Sequence, residues 1–548
     1  MSVADSFLPT ARVAAAPPAR ERWLTAALTG GVAGVLLLLA PNPGDAPAHL
    51  YRTFLVDHGV WLWDNLWYAG QYPLASYSVL YYLPAAAVGN RTLVVFAAIL
   101  SSLLFAAIAF HEWGARVRWA TRAFGVLAAA PLFTGLYSYS LGLAALLGAL
   151  RALQTRRLAF FAVLAALTVG FSPLAFAFLL AILVAVAGAQ RRVSVRWVVV
   201  GLTLAVLVAF ELVLLDLFPS RGSYPFDYRD LIGVVAVCTL GALLASRADG
   251  NRVVLWFFVV WGVGSLVAFG VPSAIGDNWT RLRAFVLPLM LVAAVQARFR
   301  PRPLVVVAIA AAAFYNIFPY VMLIPYGADS RPAGIAFWRP ALGFLGRQGP
   351  PLYRVEVVPT SEHWESYWLP RAGYPLARGW YRQLDRATNP ILYSRHLTGT
   401  TYLAWARRIG VRYILLPNTH LDPVGGPAEA RIVTSGIRGL RLVFSDPSWR
   451  IYRVAGSSPL LHGRHAATLE RFGHDVVSGT VSAPGIYRLS IRYTPYWEAS
   501  RATICLRASA DGMTLLRARS AGPFVLRTPS GLDALFDSVT HSPSKCRR

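Results

Sequence analysis

Asp45 and His49 stand four residues apart in GDAPAHLYR, directly after the apolar stretch GVAGVLLLLAPNP. On a helix that spacing places both side chains on one face. A carboxylate at the outer end of an apolar span is partly desolvated, which raises its proton affinity. It is then suited to take a proton from a hydroxyl in general-base catalysis. An imidazole beside it could orient a phosphate, share the proton or bind a metal. Nearby follow Arg52, Asp57, Asp64 and a dense aromatic set: Tyr51, Phe54, Trp61, Trp63, Trp67, Tyr68, Tyr72, Tyr77, Tyr81 and Tyr82. Such rings could stack on sugars, although Trp and Tyr also gather at membrane interfaces for reasons of their own. Asp45 is equally placed to cap a helix beginning near Ala46. Asp57 and Asp64 read as solvated loop charges.

The elements that must carry these residues belong to a membrane protein. The chain has 548 residues, of which 56% are hydrophobic and 14% charged, where soluble domains carry about 25% charged residues. Long apolar runs recur along it. Its net charge of +26 would point to nucleic acid in a soluble protein. Here the arginines sit mostly between apolar runs, so topology accounts for them and nucleic acid is excluded as a partner. Lys545 is the single lysine. Of the cysteines, Cys238 lies in an apolar run, while Cys505 and Cys546 stand close enough to the C-terminus to pair if that end is extracytoplasmic. No C-x-x-C spacing exists for structural zinc.

Apolar runs of about 15 to 23 residues place spans near 23–41, 91–111, 119–136, 139–153, 157–170, 174–189, 195–215, 230–246, 253–270, 283–297 and 303–325, about eleven in all. Seventeen arginines, among them Arg22, Arg118, Arg151, Arg157 and Arg192, then fall in segments on one side, against six on the other: Arg52, Arg91, Arg221, Arg229, Arg281 and Arg283. The positive-inside rule puts the N-terminus in the cytoplasm and the loop 44–90 outside, with everything after 326. Tyr77–Asn90 must then be interfacial or re-entrant, because a full span there would invert every later loop. The Ala46–Ala48 triplet resembles a signal-peptidase site, but ten further spans favour an anchor.

After residue 326 the pattern changes. LYRVEVVPT alternates as a strand, and TYLAWARRIGVRYILLPN reads as a helix, a break at Gly410 and a strand. LRLVFSDPSWRIYRV reads as a hairpin with Asp446–Pro447 in its turn. The expected division is a cytoplasmic tail 1–22, a transmembrane domain 23–326, an α/β domain 327–455, a β-sandwich-like domain 456–540 and a disordered tail 541–548. No P-loop, G-x-G-x-x-G or G-x-S-x-G is present.

In order along the chain, GDAPAHLYR, LWYAGQYP and YSVLYYLPAAAVG resemble the first extracytoplasmic loop of integral-membrane C-type glycosyltransferases (GT-C). More narrowly they resemble the bacterial membrane-protein family labelled 6-pyruvoyl-tetrahydropterin-synthase-related. GLYSYSLGLAALLGAL, FSPLAFAFLLA, DNWTRLRAFVLPLML and YWLPRAGYPLARGWYRQLD extend the likeness over most of the chain. Ser172 stands where other members often carry a histidine before proline, so a second histidine role does not transfer.

The resemblance implies a GT-C-like polytopic helical fold with an extracytoplasmic C-terminal region in a bacterial plasma membrane. It further implies an inverting transfer of a sugar from a polyprenyl-phosphate donor to an envelope glycan, lipid or protein acceptor, with Asp45 as the base. Many such enzymes carry paired acidic residues at this point. Here Ala46 follows Asp45, which weakens a divalent-cation role without closing it; no other cofactor is expected. Arg283, with Arg281 beside it, suits the donor phosphate because guanidinium forks bind phosphate bidentately. Glu211, near the outer end of its span, is a further candidate because an ionisable group there is costly. Two rival readings are a transporter or flippase for a lipid-linked sugar, and a non-catalytic envelope scaffold. Neither requires an acidic first loop, and the late spans lack the paired Gly/Pro breaks of inverted repeats.

Overall fold

The computed structural model describes residues 19–40, 42–74, 77–190, 195–220, 222–248, 252–325 and 329–529. The chain forms two compact units. The first comprises residues 1–46, 77–216 and 222–325; the second comprises 47–76, 217–221 and 326–548.

Helices dominate the first unit. In chain order they are α1 (Ala19–Leu39), α2 (Ala46–Asp57, all but Ala46 belonging to the second unit), α3 (Tyr82–Val88), α4 (Asn90–Trp113), α5 (Arg118–Leu127), α6 (Pro131–Thr134), α7 (Tyr137–Gln154), α8 (Leu158–Phe171), α9 (Pro173–Ala189), α10 (Val195–Leu217), α11 (Tyr228–Ser246), α12 (Arg252–Gly270), α13 (Val286–Gln296) and α14 (Arg302–Leu323). A 3-10 segment, Gly276–Phe285, runs straight into α13. Among the described residues, seven helical segments are long and apolar enough to cross a bilayer: α1, α4, α10, α11, α12, Gly276–Gln296 and α14. The apolar helices α8 and α9 are shorter. Leu202, Val206 and Phe314 are each more than 60% exposed. Large apolar side chains turned outward on long helices belong in hydrocarbon, so this is a membrane protein.

Two local outcomes follow from single residues. In place of a continuous span over 119–136, the chain forms α5 and the one-turn α6, broken where Pro131 has no N–H to donate. The α8–α9 hairpin turns at Ser172, whose Oγ accepts the Ala175 N–H at 3.2 Å, with Pro173 in the first turn. Ser172 is therefore a helix cap. Between the first loop and α4, the 7-residue α3 is only about 10 Å long, too short to cross. The turn before it is pinned where the Gly170 carbonyl accepts from the Val79 and Leu80 N–H groups and Ser78 Oγ.

The second unit is α/β and then β-rich. Strands β1 (Arg354–Val357), β2 (Val411–Pro417), β3 (Leu440–Ser445) and β4 (Trp449–Val454) form one sheet in the order β1-β2-β4-β3, with only β1 and β2 parallel. A helix, Gly399–Arg408, leads through Gly410 (φ +79°) into β2. The Asp446 carboxylate accepts from the Ser448 and Trp449 N–H groups and shapes the β3–β4 turn. Beyond residue 460 two four-stranded antiparallel sheets share a core of Leu469, Val477, Leu489, Leu516 and Phe524. That is the arrangement of a sandwich. The first-loop residues from 47 to 74 belong to this unit: Leu66 O, Ala69 O and Asn65 N–H bond to Leu376, Arg492 and His474. A loop so rich in aromatics can bury them only against a folded domain. Cys238 is a free thiol and Cys505 is disulfide-bonded; Cys546, the expected partner, and the tail 541–548 lie outside the described residues.

Candidate active site

Asp45 sits in the turn between α1 and α2. Its backbone N–H meets the Thr134 carbonyl at 3.4 Å, and the Ala46 N–H bonds back to Pro43. The seat is made by Gly135, which ends α6 in the left-handed region at φ +83°. A β-carbon on residue 135 would lie 2.9 Å from the Asp45 Cβ and 2.8 Å from the Ala46 nitrogen. Only glycine permits this approach.

Opposite Asp45 lies Arg281, on the 3-10 segment. Its Nη2 is 3.7 Å from Asp45 Oδ2, and the two side chains are 24% and 20% exposed. Burial pushes the Asp45 carboxyl above its ordinary value, and Arg281 pulls it part of the way back. Arg281 also donates to the Tyr77 hydroxyl. Tyr137, at the start of α7, pairs with Arg91 at the start of α4 and feels the Asp45 charge. The first unit thus gathers one carboxylate, two guanidinium groups and two phenols from five separate segments. Of these, Asp45, Arg281 and Tyr77 were candidates in the sequence, Tyr77 as a stacking ring. Gly135 and Tyr137 were not, and the glycine before YSYS is the one signal that could have pointed to them.

Arg283 goes elsewhere. Its Nε and Nη2 bond to the Thr280 carbonyl and hydroxyl at 3.3 and 2.7 Å, and its guanidinium lies 5.4 Å from the centre of the Tyr315 ring. Asn316 of α14 bonds to the Arg283 carbonyl and to the Leu287 N–H, tying the segment down. Two residues along a 3-10 turn rotate the side chain by about 240°, so Arg281 and Arg283 leave on different sides. Tyr81 and Tyr82 are buried at the head of α3; the Tyr81 hydroxyl bonds to Asn90 at 2.9 Å and the two rings meet edge to face.

The remaining first-loop candidates belong to the second unit. His49 is 2% exposed, and its carbonyl accepts from Thr53. Arg52, also buried, donates to the Tyr381 hydroxyl at 2.9 Å. Trp61 is half-buried. Trp63 bonds to Asn65, Trp67 to the Ser366 carbonyl and Tyr68 to the Tyr381 carbonyl, all at 2.8 to 2.9 Å. Trp67 further stacks on Tyr51 with centroids 4.7 Å apart. These rings have protein on their faces. Asp57 is exposed, as a solvated charge should be, but Asp64 is not: it is wholly buried. Its carboxylate accepts from Tyr51 and His474, each at 3.0 Å, and from the Leu66 N–H. A loop carboxylate with three donors is stable in the interior because both of its oxygens accept hydrogen bonds.

Deeper in the second unit, Arg378 is ringed by acids, with Asp385 at 2.7 Å, Glu429 at 2.8 Å and Glu356 at 3.4 Å. Burial and the Glu429 charge hold the Glu356 carboxyl well above its usual range. Among the described residues, no three His, Cys, Asp or Glu side chains come together as a metal-binding set.

A scan against protein-family models and a search of curated proteins returned no match for this chain.

Proposed function

We propose that the chain is an integral-membrane glycosyltransferase of the C type, with about eleven crossings of a bacterial plasma membrane, an internal N-terminus and an external C-terminal region. The donor is a polyprenyl-phosphate sugar and the acceptor a hydroxyl of an envelope glycan, lipid or protein. The observation that carries this reading is the Asp45–Arg281 pair at the end of the first apolar helix. A carboxylate with raised proton affinity stands beside a guanidinium able to hold a phosphate.

In the proposed step Asp45 accepts the proton of the acceptor hydroxyl as its oxygen attacks the anomeric carbon. The bond from that carbon to the phosphate oxygen breaks, and the polyprenyl phosphate departs with the electron pair. A single displacement inverts the anomeric centre. Arg281 compensates the charge that gathers on the leaving phosphate, and Tyr77 fixes the guanidinium. Arg283, engaged by Thr280 and Tyr315, supports the segment that carries Arg281.

The test is lipid-linked glycan profiling of a deletion strain complemented with the wild type or with Asp45→Asn. The reading expects one glycan to disappear in the deletion and to return only with the wild type, while its unextended precursor accumulates on the outer face. A precursor trapped on the inner face would instead indicate a flippase.

A further inference from the structure

The α/β part of the second unit carries a groove of about 360 Å³. One wall is a helix, Gly426–Thr434; the other runs from the 3-10 turn Pro390–Tyr393 to Leu397. Sites for small organic molecules occupy about 300–1,000 Å³. Close packing beside two glycines sets the two walls. A β-carbon on Gly425 would lie 3.8 Å from the Tyr393 ring. Two residues beyond Leu397 and Ser435, a β-carbon on Gly399 would come within 2.7 Å of Ile437. The floor is aliphatic, with Leu397, Ala428 and Ile432 all half-buried. The Tyr393 hydroxyl donates to Asp385 at 2.6 Å, so this residue offers the groove mainly carbon. Ser394, Ser435 and Arg431 supply the polar lining.

Charge around the groove is one-sided. Residues 381–440 contain three acids, Asp385, Asp422 and Glu429, and all are buried. Asp385 and Glu429 bond to Arg378 at 2.7 and 2.8 Å, and Asp422 bonds to Arg382 at 2.8 Å. Glu429 and Arg431 share one helix, yet the acid is spent inside and the guanidinium stays exposed. Arg395, beside Ser394, is exposed as well. The Arg386 guanidinium lies 5.4 Å from the centre of the Tyr393 ring, and its Nε has no acceptor among the described residues. No acid among the described residues lines the groove. A concave site with unanswered guanidinium groups draws anions, and the guanidinium fork fits carboxylate or phosphate.

The rest of the lining narrows the class of anion. A free phosphate would use Arg431 and leave the aliphatic floor bare. A neutral sugar would cover the floor and leave Arg431 unanswered. A pyranose with an acidic substituent has an apolar C–H face, a rim of hydroxyls and a charge, one for each part of the site. We infer that this groove binds an acidic sugar, its carboxylate or phosphate on Arg431 and its C–H face on Leu397 and Ile432, with Ser394 and Ser435 meeting its hydroxyls. The inference is independent of the role given to Asp45, and its test reads binding alone.

The test is saturation-transfer NMR on the full-length protein in detergent, with glucuronic acid, glucose 6-phosphate and glucose titrated separately. At least one of the two acids should bind about tenfold more tightly than glucose, and their ranking tells carboxylate from phosphate. Arg431→Gln should remove that advantage, since a lost hydrogen bond to charge is worth about tenfold or more. Arg438→Gln, at an exposed position outside the lining, should leave it intact. Ala428→Phe fills the groove without changing charge and should abolish binding of the acid. Equal affinity for glucose and both acids would overturn the inference, as would equal loss in the Arg431 and Arg438 variants. So would inorganic phosphate that competes with the sugar acid at equal concentration, which would reveal a site for simple anions.

Discussion

Arg281 Nη2 stands 3.7 Å from Asp45 Oδ2, so a residue just beyond the first helix faces one on the 3-10 segment that leads into α13. The pair sets the acid–base behaviour of the site. Desolvation raises the carboxyl of Asp45, while the guanidinium keeps an ionised form accessible.

Asp45→Asn keeps the shape of the side chain and removes its ability to take a proton. Turnover should fall by a factor of about 10² to 10⁴, the usual worth of general-base assistance, with donor KM little changed. A base acts only when deprotonated, so wild-type activity should rise with pH through the Asp45 pKa. That acid limb should lie above the ordinary aspartate value of about 3.9. A pH–rate profile of the purified protein checks both statements, and an Asn variant with full turnover would remove Asp45 from the proposed mechanism.

Arg281→Gln removes a charge that lowers the Asp45 pKa, so the acid limb should move to higher pH. Donor binding should also weaken by about 1.5–3 kcal/mol, as for loss of a charged hydrogen-bond partner. Arg281→Lys retains the charge but not the fork. It should leave the acid limb nearly in place while donor KM rises. Titration with a non-transferable polyprenyl-phosphate analogue separates the two effects, and equal limbs in Gln and wild type would break the proposed coupling.

Gly135→Ala should act through position alone. Alanine at φ +83° costs about 1–2 kcal/mol, and its β-carbon would press on Asp45 and the Ala46 backbone. Displacing a reacting group by about 1 Å can cost about 10²-fold in rate. kcat should therefore drop far more than the thermal midpoint does. A variant that loses stability but keeps kcat would make Gly135 a packing residue only.

In the second unit, Arg378→Met leaves Asp385, Glu429 and Glu356 without their shared cation. The expected loss is about 3–5 kcal/mol, the range for a buried charge deprived of its partner. Glu356 behaves in the opposite sense. Its folded pKa is raised, so its contribution is complete below the unfolded value of about 4.3 and fades as pH rises through the folded pKa. Glu356→Gln mimics the protonated acid and should flatten that decline, leaving the variant more stable than the wild type at alkaline pH. Thermal melts from pH 4 to 9 test the pair, and identical pH dependence in Gln and wild type would show that Glu356 is ionised throughout.

Local features of this chain were legible in its sequence because local physics sets them. The apolar runs give the membrane helices, the Asp446–Pro447 turn gives the β3–β4 hairpin, and Gly410 separates a helix from β2. Asp45 could be placed at the end of α1 from hydropathy alone. Spacing carries such information because periodicity and turn chemistry act within a few residues.

Tertiary structure decided what those residues meet. Whether Arg281 or Arg283 faces Asp45 depends on the 3-10 winding of Gly276–Phe285, which no apolar pattern announces. Asp64 looked like a solvated charge until Tyr51 and His474, the latter from the far end of the chain, were seen to surround it. The span expected over 119–136 gave way to α5 and α6, and the turn ending at Gly135 became the seat of Asp45. A carboxylate's environment is the sum of what packs on it, and those partners are brought by folding from positions that sequence spacing does not connect.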